Sequence, residues 1–164
     1  MRRVTLLFCV DLESQRVLLG LKKTGFGTER IVGIGGGIEN LETPAEAAVR
    51  ELLEETGLVV TAEDLRDAGR LEFRFIGKPA WDMTADLFVT HRWLGTALET
   101  LEIAPIWCDM DALPWAQMWP DGSDWLLECL GGGRIDAVCV YALDGQTVQS
   151  FSQRVSESLR FDVN

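Results

Sequence analysis

A single histidine and four cysteines are all the imidazole and thiol ligands that this 164-residue chain holds. Cys9, Cys108, Cys129 and Cys139 stand far apart, and neither they nor His91 make a zinc-type spacing. His91 therefore reads as incidental. The cysteines read as buried free thiols, which suit a reducing, cytoplasmic setting. No stretch reaches the roughly 18 apolar residues that would span a membrane. Met1-Arg2-Arg3 followed by VTLLFCV faintly resembles a signal peptide, but Asp11 ends the run and no small-residue cleavage site follows, so a first strand is expected. Basic charge is also scarce, with 15 Lys and Arg against 26 Asp and Glu and a net charge of −11, so nucleic acid is not an expected partner. Residues 1–30 are the exception, with six basic side chains against three acids, a basic edge suited to a small anionic ligand carried in with its metal. Repeats and linkers are absent. One domain is expected over residues 1–153, with a polar tail at 154–164, and a monomer is expected.

What the chain does have is concentrated in Gly36–Leu58, GGIENLETPAEAAVRELLEETGL. Thr43, Pro44 and Glu46 have the form of a helix start, with Thr at the N-cap, Pro at the first helical position and Glu closing a capping box. Gly57 has the form of a helix stop. On a 3.6-residue period Ala45, Ala48, Val49 and Leu52 make an apolar stripe, and Glu51, Glu54 and Glu55 gather on another face. Three carboxylates near the negative end of a helix dipole repel one another, and a cation would relieve them. Carboxylate oxygens are hard ligands that suit Mg²⁺ or Mn²⁺. Arg50 is the one basic residue among six acids in this window and is placed to orient a glutamate without occupying a metal position. Gly35, Gly36 and Gly37 allow the backbone to pass close to whatever the carboxylates hold.

A solvated acidic helix face would account for the glutamates but not for the wider spacing of Gly36, Glu42, Arg50, Glu51, Leu52, Glu54, Glu55, Gly57 and Leu58. That spacing resembles the Nudix box, G-x5-E-x7-R-E-U-x-E-E-x-G-U with U aliphatic, without departure. At residue frequencies of about 5–7% it arises by chance in roughly one chain in ten million. The resemblance implies a hydrolase, dependent on Mg²⁺ or Mn²⁺, that acts on a nucleoside diphosphate linked to another group. It implies an α/β fold, an α/β/α sandwich with a mixed β-sheet between helices. It also implies that Glu51, Glu54, Glu55 and the Gly36 carbonyl bind the metal while Arg50 braces a glutamate.

Outside the box, Arg16-Val17-Leu18-Leu19-Gly20, Lys22 to Gly27, Met118 to Ser123, and Glu102 with Pro105 and Trp107 resemble the MutT-related oxidised purine nucleoside triphosphatases. The resemblance implies that Trp119 stacks on the purine and Asp121 hydrogen-bonds its edge, that Phe26 and Phe73 line the pocket, and that Lys22 reaches a phosphate. Glu102 would add a carboxylate near the metal, and Glu102 or Glu55 would take the proton from an attacking water. A modified purine triphosphate such as 8-oxo-dGTP would give the monophosphate and pyrophosphate. Read alone, Trp119 and Phe73 would be core, Lys22 a solvated strand end, and Asp121 a helix cap. The family's asparagine and second aspartate are here Val32 and Gly122, and the tryptophan before the asparagine is Ile31. The pocket is thus more apolar than the family's and suits an alkylated or otherwise modified purine. ADP-ribose, a nucleotide sugar or a dinucleotide is the alternative substrate; a nucleotide sensor without turnover is the remaining alternative.

In chain order, strands are expected at 4–10, 16–21, 31–34, 69–77, 84–93 and 104–109, with a closing hairpin of 134–142 and 147–151 around Asp144-Gly145. Besides the box helix, helical turns are expected at 62–66 and after Asp111. A second helix should run from Asp121 or Ser123 to Leu130, ended by Gly131-Gly132-Gly133.

Overall fold

A computed structural model describes residues 1–154, so the expected tail lies, beyond Arg154, outside the described residues. Eight strands and two α-helices follow one another as β1 (Arg2–Asp11), β2 (Arg16–Lys22), β3 (Ile31–Val32), α1 (Pro44–Thr56), β4 (Arg66–Phe75), β5 (Met83–Thr90), β6 (Ile103–Asp109), α2 (Gly122–Leu130), β7 (Ile135–Tyr141) and β8 (Val148–Gln153), with short 3-10 turns between them. The strands lie in the order β3-β2-β1-β5-β4-β7-β8, and β6 pairs with β2. The sheet is mixed: β1–β5 and β4–β7 are parallel, whereas β2–β6, β4–β5 and β7–β8 are antiparallel.

Strand alternation assigns the two faces. In β1, Val4, Phe8 and Val10 join a core with Trp125, Leu126, Cys129 and Leu130 of α2. Leu7 and Cys9 join a second core with Ala48 and Leu52 of α1. One helix thus covers each face, which is the expected α/β/α sandwich. A third, aromatic cluster gathers around Phe75, Cys139 and Tyr141, with Phe26, Trp81 and Trp119 against it.

The start and stop of α1 follow the sequence. The Thr43 side chain accepts from the Glu46 N–H, Glu46 accepts from the Thr43 N–H, and Gly57 closes the helix at φ 79°. Ala48 and Leu52 of the expected stripe are fully buried, with Ala45 and Val49 packed at the margin. The expected strand 31–34 is shorter and ends at Val32, and the next residue, Gly33, passes so close to Phe8 that a Cβ would meet its ring at 2.8 Å. Ile34 and Gly37 instead bridge to Leu7 and Val4 of β1. The strand expected at 69–77 begins three residues earlier and carries a bulge between Asp67 and Gly69. The helical piece expected from Asp111 forms later, as a 3-10 turn at Trp115–Gln117. All four cysteines are buried and free, and burial pushes the thiols of Cys9, Cys129 and Cys139 up to about 12. His91 meets only the Val10 carbonyl, at 3.2 Å.

Candidate active site

The glycine run before α1 is laid against β1 by backbone hydrogen bonds. Thr5 N–H donates to the Gly36 carbonyl at 2.9 Å, Leu7 N–H to Ile34 at 2.7 Å, and Ile38 N–H to Arg3 at 3.0 Å. A Cβ on Gly35 would collide with the Thr5 carbonyl, and one on Gly36 would sit 2.6 Å from Cδ of Glu51. Close approach to the backbone of β1 therefore requires glycine at Gly35, while at Gly36 a side chain would displace the Glu51 carboxylate. The Gly36 carbonyl, expected as a metal ligand, keeps one lone pair after accepting from Thr5.

On α1 the three glutamates part company. Glu51 and Glu55 are separated by four residues and turn together toward the glycine run, while Glu54 lies about 100° round the helix from Glu55 and its side chain is 56% exposed. Arg50 reaches more than one glutamate. Its Nε and Nη2 fork onto Glu42 at 2.7 and 3.0 Å, its Nη1 reaches Glu51 at 3.0 Å and Glu54 at 3.2 Å, and its Nη2 also donates to the Gly37 carbonyl at 2.9 Å. The guanidinium holds Glu42 well below the usual carboxylate range, to about 2. Four groups around one rigid cation fix the start of α1 to the glycine run.

Glu55 lies beyond the reach of Arg50 in these hydrogen bonds. It is 8% exposed, and its Oε2 is buried without a hydrogen-bond partner. Burial first, then the nearby charge of Glu51 and also that of Glu102, pushes its carboxyl up to about 8, against an opposing hydrogen bond from Gly35. Glu51 is raised as well, by burial, although Arg50 opposes it. Glu102 arrives from the other side of the site: β2–β6 pairing sets Ile103 opposite Lys22, and the Lys23 N–H donates to the Glu102 carbonyl at 2.9 Å. Burial lowers the Lys22 ammonium pKa, with Glu55, Glu102 and Glu51 opposing.

Among the described residues no three acidic, histidine or cysteine side chains close into a ready-made metal cluster. The donor set nevertheless fits a divalent cation. The orphaned buried carboxylate oxygen of Glu55, the neighbouring carboxylates whose charge raises its pKa, and a glycine carbonyl are all hard oxygen ligands.

These groups share one cavity of about 470 Å³ with the aromatic cluster. Lys22, Phe26, Gly36, Glu51, Glu55, Phe73, Glu102, Trp119 and Asp121 all line it, as do the apolar replacements Val32 and Gly122; Arg50 and Glu54 do not. Trp119 is stacked on Phe26 at 5.4 Å and 11°, and the Arg30 guanidinium lies 4.1 Å over its ring. A flat base reaching Trp119 must share it with Phe26, which rides on a turn whose flanking Gly25 and Gly27 have φ of 76° and 78°. Asp121 stands at the N-cap of α2, yet its side chain makes no capping hydrogen bond. It is 3% exposed, accepts from the Trp125 indole at 2.8 Å and accepts from the Tyr141 hydroxyl. Burial raises its carboxyl pKa, while the hydrogen bonds from Tyr141 and Trp125 pull it down.

Sequence reasoning missed Tyr141 and Trp125. A usable signal was present: Tyr141 is the one tyrosine of the chain, on a strand of strict alternation, and a buried phenol needs a hydrogen-bond partner.

Comparison with known proteins gives a consistent picture. A model of the NUDIX domain matches residues 1–129. The oxidized purine nucleoside triphosphate hydrolase of Mus musculus is 44% identical over 114 residues, which is 70% of this chain and 71% of that protein. The protein of the same name from Danio rerio is 43% identical over 110 residues, 67% of this chain and 69% of its own. Among solved structures, a MutT protein from Bacillus halodurans superposes with a TM-score of 0.76 at 23% identity, covering 93% of this chain and 97% of its own.

Proposed function

The chain belongs to the Nudix family, and from that premise we propose that it hydrolyses oxidised purine nucleoside triphosphates to the monophosphate and pyrophosphate, clearing damaged nucleotides from the pool. The observation that carries this reading is the single cavity in which the box carboxylates and the Trp119–Asp121 pocket meet. A nucleotide laid along it places its phosphates by the glutamates and its base among the aromatics. The two curated relatives, named for oxidised purine triphosphates, support the same substrate.

Nudix enzymes work with a divalent metal, and we assign Mg²⁺ or Mn²⁺ to Glu51, Glu54, Glu55, Glu102 and the second lone pair of the Gly36 carbonyl. Such a cation supplies charge neutralisation on the phosphoryl oxygens. Arg50 holds Glu51 and Glu54 in register from behind, and its hold on Glu54 is the one that must loosen for that carboxylate to turn inward. Lys22 contacts a phosphate from the β2 edge. Glu55 or Glu102 accepts the proton from the attacking water, since both face the cavity and neither carboxylate is tied to Arg50. Phe26, Phe73 and Trp119 hold the base, and Asp121 hydrogen-bonds its edge. The site is complete within one chain, which suits a monomer, and four free thiols suit a reducing cytoplasm. Among the described residues no helix is long and apolar enough to cross a membrane.

The test is a product-resolved hydrolysis panel with Mg²⁺, comparing dGTP, 8-oxo-dGTP, 2-hydroxy-dATP, O6-methyl-dGTP and ADP-ribose by kcat/KM. An oxidised purine triphosphate should exceed dGTP by about 100-fold, roughly 2.7 kcal/mol of transition-state discrimination. Preference for ADP-ribose would overturn the substrate, and binding without turnover would overturn the enzyme.

A further inference from the structure

At the base end of the cavity one carboxylate and one phenol face each other in near-complete burial, Asp121 at 3% and Tyr141 at 1% exposure. Both line the cavity. The Tyr141 hydroxyl donates to Oδ1 of Asp121, and the Trp125 indole N–H donates to Oδ2 at 2.8 Å. An indole N–H can only donate, so Oδ2 is held as an acceptor. The phenol is held as firmly. Its ring stacks on Phe75 at 4.9 Å and 9° and meets Trp119 edge to face at 5.7 Å, while β4–β7 pairing sets Phe75 opposite Tyr141. Of the other residues that line the cavity, Val32, Gly122, Phe73 and Met83 carry no hydrogen-bonding side chain.

We propose that Tyr141 is a positioning residue that fixes Asp121 as a hydrogen-bond acceptor, so that the site selects purines with an N–H donor edge, a lactam N–H beside an amino group, over purines that have lost the lactam N–H by O-alkylation. The proposal rests on the reading of the chain as a purine nucleoside triphosphate hydrolase and deepens it, and it replaces the expectation of an alkylated purine with that of a lactam-bearing one. Each carboxylate oxygen has two acceptor positions. One on each is taken by Tyr141 or Trp125, and those left can be met only by a donor. A lactam N–H and its neighbouring amino group supply donors. An O-alkylated base brings a bare ring nitrogen to the same place, and two acceptors then face each other in a buried site, which is the arrangement that costs most in recognition. Without the phenol O–H, Oδ1 loses its donor. The carboxyl, already pushed toward protonation by burial, then gains a proton to offer, and acceptor edges become tolerable.

The experiment compares Tyr141→Phe with the unaltered protein, using 8-oxo-dGTP and O6-methyl-dGTP under identical Mg²⁺ and pH. The phenylalanine keeps the ring, its stack on Phe75 and its packing. The unaltered protein should prefer the lactam-bearing substrate, and in the variant the ratio of kcat/KM values should fall by about 10-fold or more, carried by KM. A purely structural role for Tyr141 would lower both substrates by a common factor and leave the ratio in place, which would overturn the proposal. Equal rates on the two substrates in the unaltered protein would overturn it without any variant, and so cover the case of a variant that does not fold. Hydrolysis of neither triphosphate would instead bring down the functional reading, and this inference with it.

Discussion

Replacing Glu55 with glutamine removes one charge from the most protected carboxyl of the site and leaves its shape. In the folded protein that carboxyl titrates at about 8, against 4.5 for an ordinary glutamate, because it is buried and stands beside Glu51 and Glu102. Between those two values the folded state keeps a proton that the unfolded chain releases. Folding stability must therefore fall as pH rises through this window, and the loss is complete above pH 8. At about 1.4 kcal/mol for each tenfold mismatch, the penalty is on the order of 3–5 kcal/mol in metal-free protein. The glutamine variant does not carry it. In EDTA at pH 8.5 the variant should melt about 6–20 °C above the unaltered protein, given roughly 2–4 °C per kcal/mol for a domain of this size. Near pH 4.5 the two should coincide.

Mg²⁺ reverses the order. A cation bound at the carboxylate restores the stability of the unaltered protein by mass action, while the variant lacks a charged ligand and gains little. The same substitution should lower kcat by about 100-fold or more. The assay is thermal denaturation from pH 4.5 to 9 in EDTA and again in Mg²⁺, for both proteins. Asp121, whose pKa burial also raises, contributes the same background slope to each and cancels in the difference. Identical pH slopes for the two proteins in EDTA would refute the account of a buried, uncompensated Glu55.

Three further substitutions probe other parts of the site. Gly36→Ala forces the Glu51 carboxylate aside, since the new Cβ would lie 2.6 Å from its Cδ; kcat should fall about 10- to 100-fold with KM little changed, and an unaltered kcat in steady-state kinetics would refute the close approach. Arg50→Lys replaces a fork that serves Glu42, Glu51, Glu54 and the Gly37 carbonyl with a point charge, and should cost about 1–3 kcal/mol in denaturant unfolding together with weaker Mg²⁺ binding by titration calorimetry. Trp119→Ala should raise KM for an oxidised purine triphosphate by about 5- to 150-fold, the equivalent of roughly 1–3 kcal/mol of stacking, with kcat nearly preserved; a loss confined to kcat would refute a base platform.

Local rules were legible in the sequence wherever neighbouring residues alone decide the outcome. The Thr43–Glu46 capping box, the left-handed stop at Gly57 and the alternating burial of β7 follow from spacing. The fork of Arg50 onto Glu42 across eight residues lay within the box spacing, and from the same position the guanidinium reaches Glu51 and Glu54 as well. Distant pairings were not legible. The parallel match of Leu6 with Leu87 in β1 and β5 closes a long stretch of chain, and no local signal specifies it. The contact between Asp121 and Tyr141 joins the start of α2 to the end of β7, so Asp121 alone looked like a helix cap and Tyr141 like one more inward residue of a strand.

The two halves of the cavity are held by different kinds of force, and this separates what can change from what cannot. The carboxylate half is fixed by backbone: the glycine run is hydrogen-bonded along β1, and Gly35 has no room for a side chain against the Thr5 carbonyl. A substitution there moves a ligand and costs the reaction. The base half is fixed by side chains packed on one another, Phe26 on Trp119 and Phe75 on Tyr141, around one buried carboxyl. Val32 and Gly122 face the same space without hydrogen-bonding side chains, so under the proposed reading Asp121 carries polar recognition that a larger set of groups would otherwise share. A single acceptor in an apolar wall discriminates sharply, because a mismatched base has no second polar partner to turn to. Changes at Val32, Gly122 or Tyr141 should therefore redirect which base is accepted while the hydrolytic half, anchored to the sheet through Thr5, Leu7 and Arg3, goes on working unchanged.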